Sequence, residues 1–172
     1  FNDKLSMKLD LSFSNDDRKA SPYQSTIFNY MNTRPADTPN QFLTGLYNGL
    51  GMQGMNPVAL MLYGGSNNTN TIRLSGAITL TYEPAKWLSL QGMLAPRYTT
   101  TNRHNWKKPV TTYQDYKGTS TLTSASYATL TESGSRAFYG NYNFLATLKY
   151  NFSGHDLKLI LGAERNTYDY KY

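Results

Sequence analysis

The chain contains no cysteine, which excludes disulfides and thiolate metal ligands. It has little charge: Asp, Glu, Lys and Arg make up 16% of its 172 residues, below the usual quarter. It has no long apolar run either. The longest, "VALMLY" at 58–63, falls far short of the ~20 residues a membrane helix needs. The opening "FNDKLSMKLD" lacks the basic start, apolar centre and small-residue cleavage site of a signal peptide. The expectation is a protein that is not exported or a chain without its true N-terminus. The two histidines, His104 and His155, have no partner at metal-ligand spacing. Asp16 and Asp17 lack the spaced oxygens and closing Glu of a calcium loop. There is no phosphate-binding glycine loop and no nucleophile elbow. These absences lead to the expectation of no catalytic residue, no metal, no cofactor and no enzyme.

What is present is polar, aromatic and uncharged. Hydrophobic residues reach 39% with Tyr counted, and aromatics 14%, fifteen of them Tyr. The polar share is mostly Ser, Thr, Asn and Gly, which suit strands and turns better than helices. Net charge is +6, a balance that raises nucleic acid, anionic membrane or an acidic partner. The basic residues are scattered, and the one cluster, "RHNWKK" at 103–108, reads as a solvated loop. No nucleic-acid partner is expected.

Five segments alternate with period two. In "KLSMKLDLSFS" Leu5, Met7, Leu9, Leu11 and Phe13 share one face. In "TIRLSGAITLTY" Ile72, Leu74, Gly76, Ile78, Leu80 and Tyr82 do so. In "WLSLQGMLAPRY" they are Leu88, Leu90, Gly92, Leu94 and Tyr98. In "AFYGNYNFLATLKY" Tyr142, Phe144, Ala146, Leu148 and Tyr150 oppose Asn141, Asn143, Thr147 and Lys149. In "DLKLILGAERNTY" Leu157, Leu159, Leu161 and Ala163 oppose Lys158, Ile160, Gly162 and Glu164. Each segment has 11 to 14 residues. Globular strands average about 5–6, whereas a strand crossing a membrane needs about 9–11.

The connections alternate too. The second and third segments are joined by "EPAK", the fourth and fifth by "NFSGH". Long connections, expected over residues 15–70 and 99–136, separate the others. Structureless loops beyond about 12–15 residues are unusual in a compact soluble domain. Short periplasmic turns and long external loops are the rule in outer-membrane barrels. The expected fold class is therefore all-β: an antiparallel transmembrane β-barrel segment of about five long strands, with long extracellular loops. By this logic the first, third and fifth strands run outward.

Within the first long connection, "TPNQFLTGLYNGLG" reads as a helix, with Thr38 as N-cap, Pro39 at the first position and Gln41 at capping-box spacing. Gly49 or Gly51 would end it. "NPVALMLYGG" starts a further helical turn capped by Asn56. "GTSTLTSASYATLTESGS" at 118–135 reads as loop or an extra hairpin. The candidate ligand or partner contacts are loop aromatics: Tyr23, Phe28, Tyr30, Trp106, Tyr113 and Tyr116. Their plainer role is packing of the loops on one another. Tyr82, Trp87, Tyr98, Tyr139 and Tyr150 fit interfacial aromatic girdles. Arg73, Arg97, Lys149, Lys158 and Glu164 are the candidate lumen-facing residues.

From about Asn56 onward the chain resembles a SusC/RagA-type TonB-dependent transporter. The residues that carry this are "NPVALM", then "NTIRLSGAITLTYEPAKWLSLQGMLAPRY", and later "FYGNYNFLATLKYNFSGHDLKLILGAE". Order and spacing carry the match rather than any invariant motif. The resemblance implies a barrel of about 22 strands filled by an N-terminal plug. It implies import driven through TonB in the bacterial outer membrane, under a SusD-like lipoprotein lid. Five strands cannot close such a barrel. Residues 1–172 are thus expected to be a portion of one outer-membrane β-barrel domain, without plug or TonB-contacting segment. The remaining barrel and plug, and outer-membrane lipid, would be its neighbours. A passive porin would share the strand pattern, and a soluble nucleic-acid-binding β-protein would explain the charge but not the alternating connections.

Overall fold

The computed structural model describes residues 4–33, 38–50 and 53–172. Its elements run β1 (Leu5–Ala20), α1 (Gln24–Thr33), α2 (Pro57–Tyr63), β2 (Gly65–Ala85), β3 (Leu88–Lys107), β4 (Thr111–Tyr113), β5 (Thr121–Thr123), β6 (Thr129–Phe152) and β7 (His155–Lys171). The fold is all-β in class, with two short helices. Five long strands form one sheet in the order β1-β2-β3-β6-β7, and β4 and β5 form a separate antiparallel pair. The sheet is open, with β1 and β7 at its edges; the described residues close no barrel. No helix among them is long and apolar enough to cross a membrane, which says nothing of strands.

Each alternating segment lies inside one long strand, but the strands outrun the alternation. They span 16, 21, 20, 24 and 17 residues. The added stretches, such as "GSNNTNT" in β2 and "TLTESGSR" in β6, lack large apolar residues apart from Leu130, so no apolar period marks them. The expected loops at 15–70 and 99–136 are accordingly shorter than expected: residues 15–20, 65–70, 99–107 and 129–136 are strand. The Ser/Thr-rich stretch at 118–135 divides between β5 and the start of β6.

Both tight turns are also tighter than expected. β2 and β3 are joined through Lys86 and Trp87 alone, β6 and β7 through Ser153 and Gly154. Ser153 has φ 51° and Gly154 φ 82°. Two consecutive positive φ values make a two-residue hairpin whose twist suits the flanking strands, and glycine takes the second at no steric cost.

The helix expected from Thr38 does not form. Residues 38–50 instead fold back on themselves: Phe42 N–H donates to Leu46 O, Gly45 N–H to Phe42 O and Asn48 N–H to Asn40 O, each at 2.9 Å. Gly45, at φ 82°, turns the chain in the left-handed region that a helix does not use. Gln41 donates to Gly45 O rather than completing a capping box. Gly51, one of the two expected stops, lies outside the described residues. The turn expected at Asn56 is α2: Asn56 Oδ1 accepts from the N–H groups of Val58 and Ala59, both at 3.0 Å, and Pro57 takes the first turn, where no donor is missed.

Two compact units share the chain. The first comprises Phe1–Asp16, Thr71–Thr101 and Gly134–Tyr172; the second comprises Asp17–Asn70 and Asn102–Ser133. The second has a small core of Tyr23, Ile27, Ala59, Leu60 and Val110, flanked by Tyr47 and Met55. Most of its buried polar groups are paired, as burial demands, while Asn67 Oδ1 and Asn105 Oδ1 have no hydrogen-bond partner among the described residues. Asn56 Nδ2 donates to Asn40 O and Asn48 O, each at 2.8 Å. Asn48 donates to Pro39 O and accepts from Leu50 N–H. In the first unit Gly140 is the only buried residue among those described.

Candidate functional surface

The first unit presents two chemically distinct sheet faces. The β6–β7 register makes this explicit. Phe144 faces Ala163, Ala146 faces Leu161, Leu148 faces Leu159 and Tyr150 faces Leu157. The alternate positions pair Asn141 with Asn166, Asn143 with Glu164, Thr147 with Ile160 and Lys149 with Lys158. One face is therefore a continuous apolar ladder and the other is mainly polar. No described residue of the unit covers the apolar ladder: Phe144 is 50% exposed, Leu159 49% and Leu9, on β1, 53%.

The height of the apolar ladder is informative. From Tyr142 to Phe152 a strand rising ~3.4 Å per residue climbs about 34 Å, or about 24 Å along an axis tilted ~45° from it. An outward apolar band in an outer-membrane barrel is ~25 Å tall.

The polar face is hydrogen-bonded across strands. Asn141 Nδ2 lies 2.7 Å from both Glu164 Oε1 and Asn166 Oδ1, and Asn166 Nδ2 donates to Glu164 at 3.0 Å. The Tyr139 hydroxyl donates to Asn166 Oδ1 at 2.7 Å, and the Arg97 guanidinium sits 6.0 Å from the centre of the Tyr139 ring. Tyr139 thus lies on the polar face and does not belong to an aromatic girdle on the other. Of the candidate lumen residues, Arg97 and Glu164 join this network, Lys149 and Lys158 pair with each other, and Arg73 is exposed on β2. They form no single cluster: Lys158 and Glu164 are six residues apart on β7, roughly 20 Å along a strand. The Tyr139–Asn141–Asn166 network was not singled out by patterning, although the alternating Asn141 and Asn143 marked the face that holds it.

The loop aromatics divide. Tyr23 is 3% exposed, and its hydroxyl donates to Lys108 O at 2.8 Å. It is part of the second unit's core and is not offered to a ligand. Lys107 Nζ lies 4.5 Å above its ring. Tyr30 is half-buried on α1, and Tyr113 is half-buried on β4, where its N–H and C=O bond Tyr47 and Gly49. Phe28 on α1, Trp106 on β3 and Tyr116 beyond β4 are exposed. Lys108 Nζ covers Trp106 at 4.2 Å.

The loop after β4 is organised by Asp115. Its carboxylate accepts from the Thr119 hydroxyl, and also from the N–H groups of Thr119, Ser120 and Lys117. These bonds, the Thr119 hydroxyl first, hold its pKa at about 2, below the ordinary 3.8. The Tyr47 phenol is pushed up, first by its hydrogen bond with Tyr63 and then by burial. No group of three or more metal-ligating side chains occurs among the described residues.

Compared with protein-family models, with curated proteins and with solved structures, the chain matches none.

Proposed function

We propose that this chain is part of the wall of an outer-membrane β-barrel that imports a nutrient, glycan or peptide oligomer, in a TonB-dependent manner. The observation that carries the reading is the uncovered apolar face of the first unit. It is one residue layer deep, backed by a hydrogen-bonded polar face, and its height matches an outer-membrane apolar band. A soluble protein of this size would cover such a face, because large contiguous apolar patches in water mark an interaction site or an aggregation liability. Lipid on one side and a wet lumen on the other satisfy both faces at once. Further strands would add to β1 and β7, whose edges carry unpaired backbone groups. The two-residue turns at Lys86–Trp87 and Ser153–Gly154 lie at the periplasmic end. Import driven through TonB, an internal plug and a SusD-like lid rest on the sequence resemblance described above.

Two measurements test this. An epitope tag placed after Gly118 is reached by antibody on intact cells, and one placed after Gly154 is not; the reverse pattern inverts the topology. The full protein in planar bilayers shows no steady conductance, as a plugged importer must. A stable open-channel current would identify a passive porin instead.

A further inference from the structure

Lys149 on β6 and Lys158 on β7 stand directly opposite each other. The Lys149 N–H donates to Trp87 O at 2.8 Å, so the backbone polar groups of Lys149 point towards β3. In an antiparallel strand the N–H and C=O of one residue point the same way. On the β7 side, Lys149 and Lys158 therefore form a non-hydrogen-bonded pair, the type that brings side chains closest. Two lysines are set directly opposite each other, a like-charge pairing that destabilises a sheet. Asp156, two residues before Lys158, is the carboxylate at this end of β7. It already accepts from Asn151 Nδ2, its cross-strand partner. Lys86, in the turn between β2 and β3, joins them: the three lysines line one cavity of about 470 Å³ with Trp87, Tyr150 and Asp156. Among the described residues, none of the three lysines forms an ion pair.

We propose that Lys86, Lys149 and Lys158 form an oxyanion site that takes a phosphate group. Three ammonium groups against the one Asp156 carboxylate leave a local charge of +2. A phosphate monoester carries about −1.5 to −2 near neutral pH and neutralises the cluster, and a phosphodiester headgroup, at about −1, halves its charge. Lysine is a point-charge phosphate binder whose N–H donors rotate to meet the oxygens. An anion lying between Lys149 and Lys158 relieves the repulsion of the pair. The cavity exceeds the size of a phosphate, and Trp87 gives it an apolar wall for the body that bears the group. That body is a soluble phosphorylated compound or a phospholipid headgroup. The inference rests on the sheet register and not on what covers the apolar face.

The test measures acylation rates at individual lysines by mass spectrometry, on the full chain. One arm uses zwitterionic micelles with inorganic phosphate or with chloride at equal ionic strength. The other uses phosphatidylcholine nanodiscs with or without phosphatidylglycerol. Phosphate is expected to slow acylation of Lys149 and Lys158 several-fold beyond chloride, and to leave Lys8, which is bridged to Asp10, unchanged. Slowing in micelles assigns a soluble source, and slowing confined to phosphatidylglycerol discs assigns a lipid one. Lys158→Glu sets a carboxylate opposite Lys149. It should raise the thermal midpoint of the sheet and abolish the protection of Lys149. Equal effects of phosphate and chloride with no effect of phosphatidylglycerol would overturn the site. So would protection of Lys149 that survives Lys158→Glu.

Discussion

Leu60, in the second unit, has no accessible surface, whereas Leu159, in the first, keeps 49% of its own. The second unit is built around a small closed core. Its apolar side chains gather around α1 and α2, and the buried amides of Asn48 and Asn56 are paired. The first unit has long ladders and apolar stripes but no interior. The difference lies in layering: a single sheet has two surfaces and no inside. Its hydrophobic stabilisation must come from whatever lies against the apolar face, and the proposed occupant is lipid.

The sharpest way to break the comparison is at the leucines. Leu60→Ala is expected to cost about 2–5 kcal/mol in the second unit, read by chemical denaturation, because it empties a closed site. Leu159→Ala leaves no closed cavity and should cost far less. In a bilayer, Leu159→Arg should cost about 2–4 kcal/mol near the midplane, whereas Thr147→Arg, on the polar face, is tolerated. Folding titrations into phospholipid vesicles check both, and equal costs on the two faces would argue for a two-sided core.

Asn56→Ala sharpens the second unit's side of the comparison. It removes the cap of α2 and leaves the carbonyl of Asn40 and that of the buried Asn48 without their side-chain donor. Loss of about 1–3 kcal/mol is expected, with the first unit's strand signal unchanged by circular dichroism.

How far the sequence led depended on which physical signal each part carries. Period-two alternation placed all five long strands, because one face of each differs chemically from the other. It failed where both faces are polar, so "TTTNRHNWK" in β3 read as loop although backbone pairing continues through it. α1 carries no acidic first turn and no basic last turn. Its one buried side chain, Ile27, gives a weak stripe, and nothing in "QSTIFNYMNT" announced a helix. The segment from Thr38 showed the opposite failure. Its local cap signals were good, but a turn at Gly45 and the pull of Asn48 and Asn56 decided the outcome. For the candidate surface, alternation assigned Lys149, Lys158 and Glu164 to one face. Which of them meet depended on register, fixed by the Ser153–Gly154 turn. Tyr23 read as an exposed loop aromatic because its partners, Lys108 and Ser124, are distant in sequence.

The smallest expected effect is a pH dependence confined to the second unit. Asp115 has its pKa held at about 2, below the ordinary 3.8. A depressed carboxylate pKa contributes stability that is present above the ordinary value and lost as pH falls through the depressed one. The loop at 115–120 should therefore loosen between about pH 4 and 2. Amide chemical shifts of Lys117, Thr119 and Ser120 should move together in that window. Asp115→Asn, which cannot ionise, should abolish the titration.

The account's central claim is that the apolar face of the first unit turns to lipid. The absence of native cysteine allows single cysteines to be introduced one at a time from 157 to 164 and labelled with a nitroxide in a folded, bilayer-reconstituted protein. Collision with dissolved oxygen reports lipid, and collision with a water-soluble nickel chelate reports aqueous space. The account predicts a period of two: oxygen-accessible at 157, 159, 161 and 163, chelate-accessible at 158, 160, 162 and 164. Chelate access at every position, or no alternation at all, would contradict it.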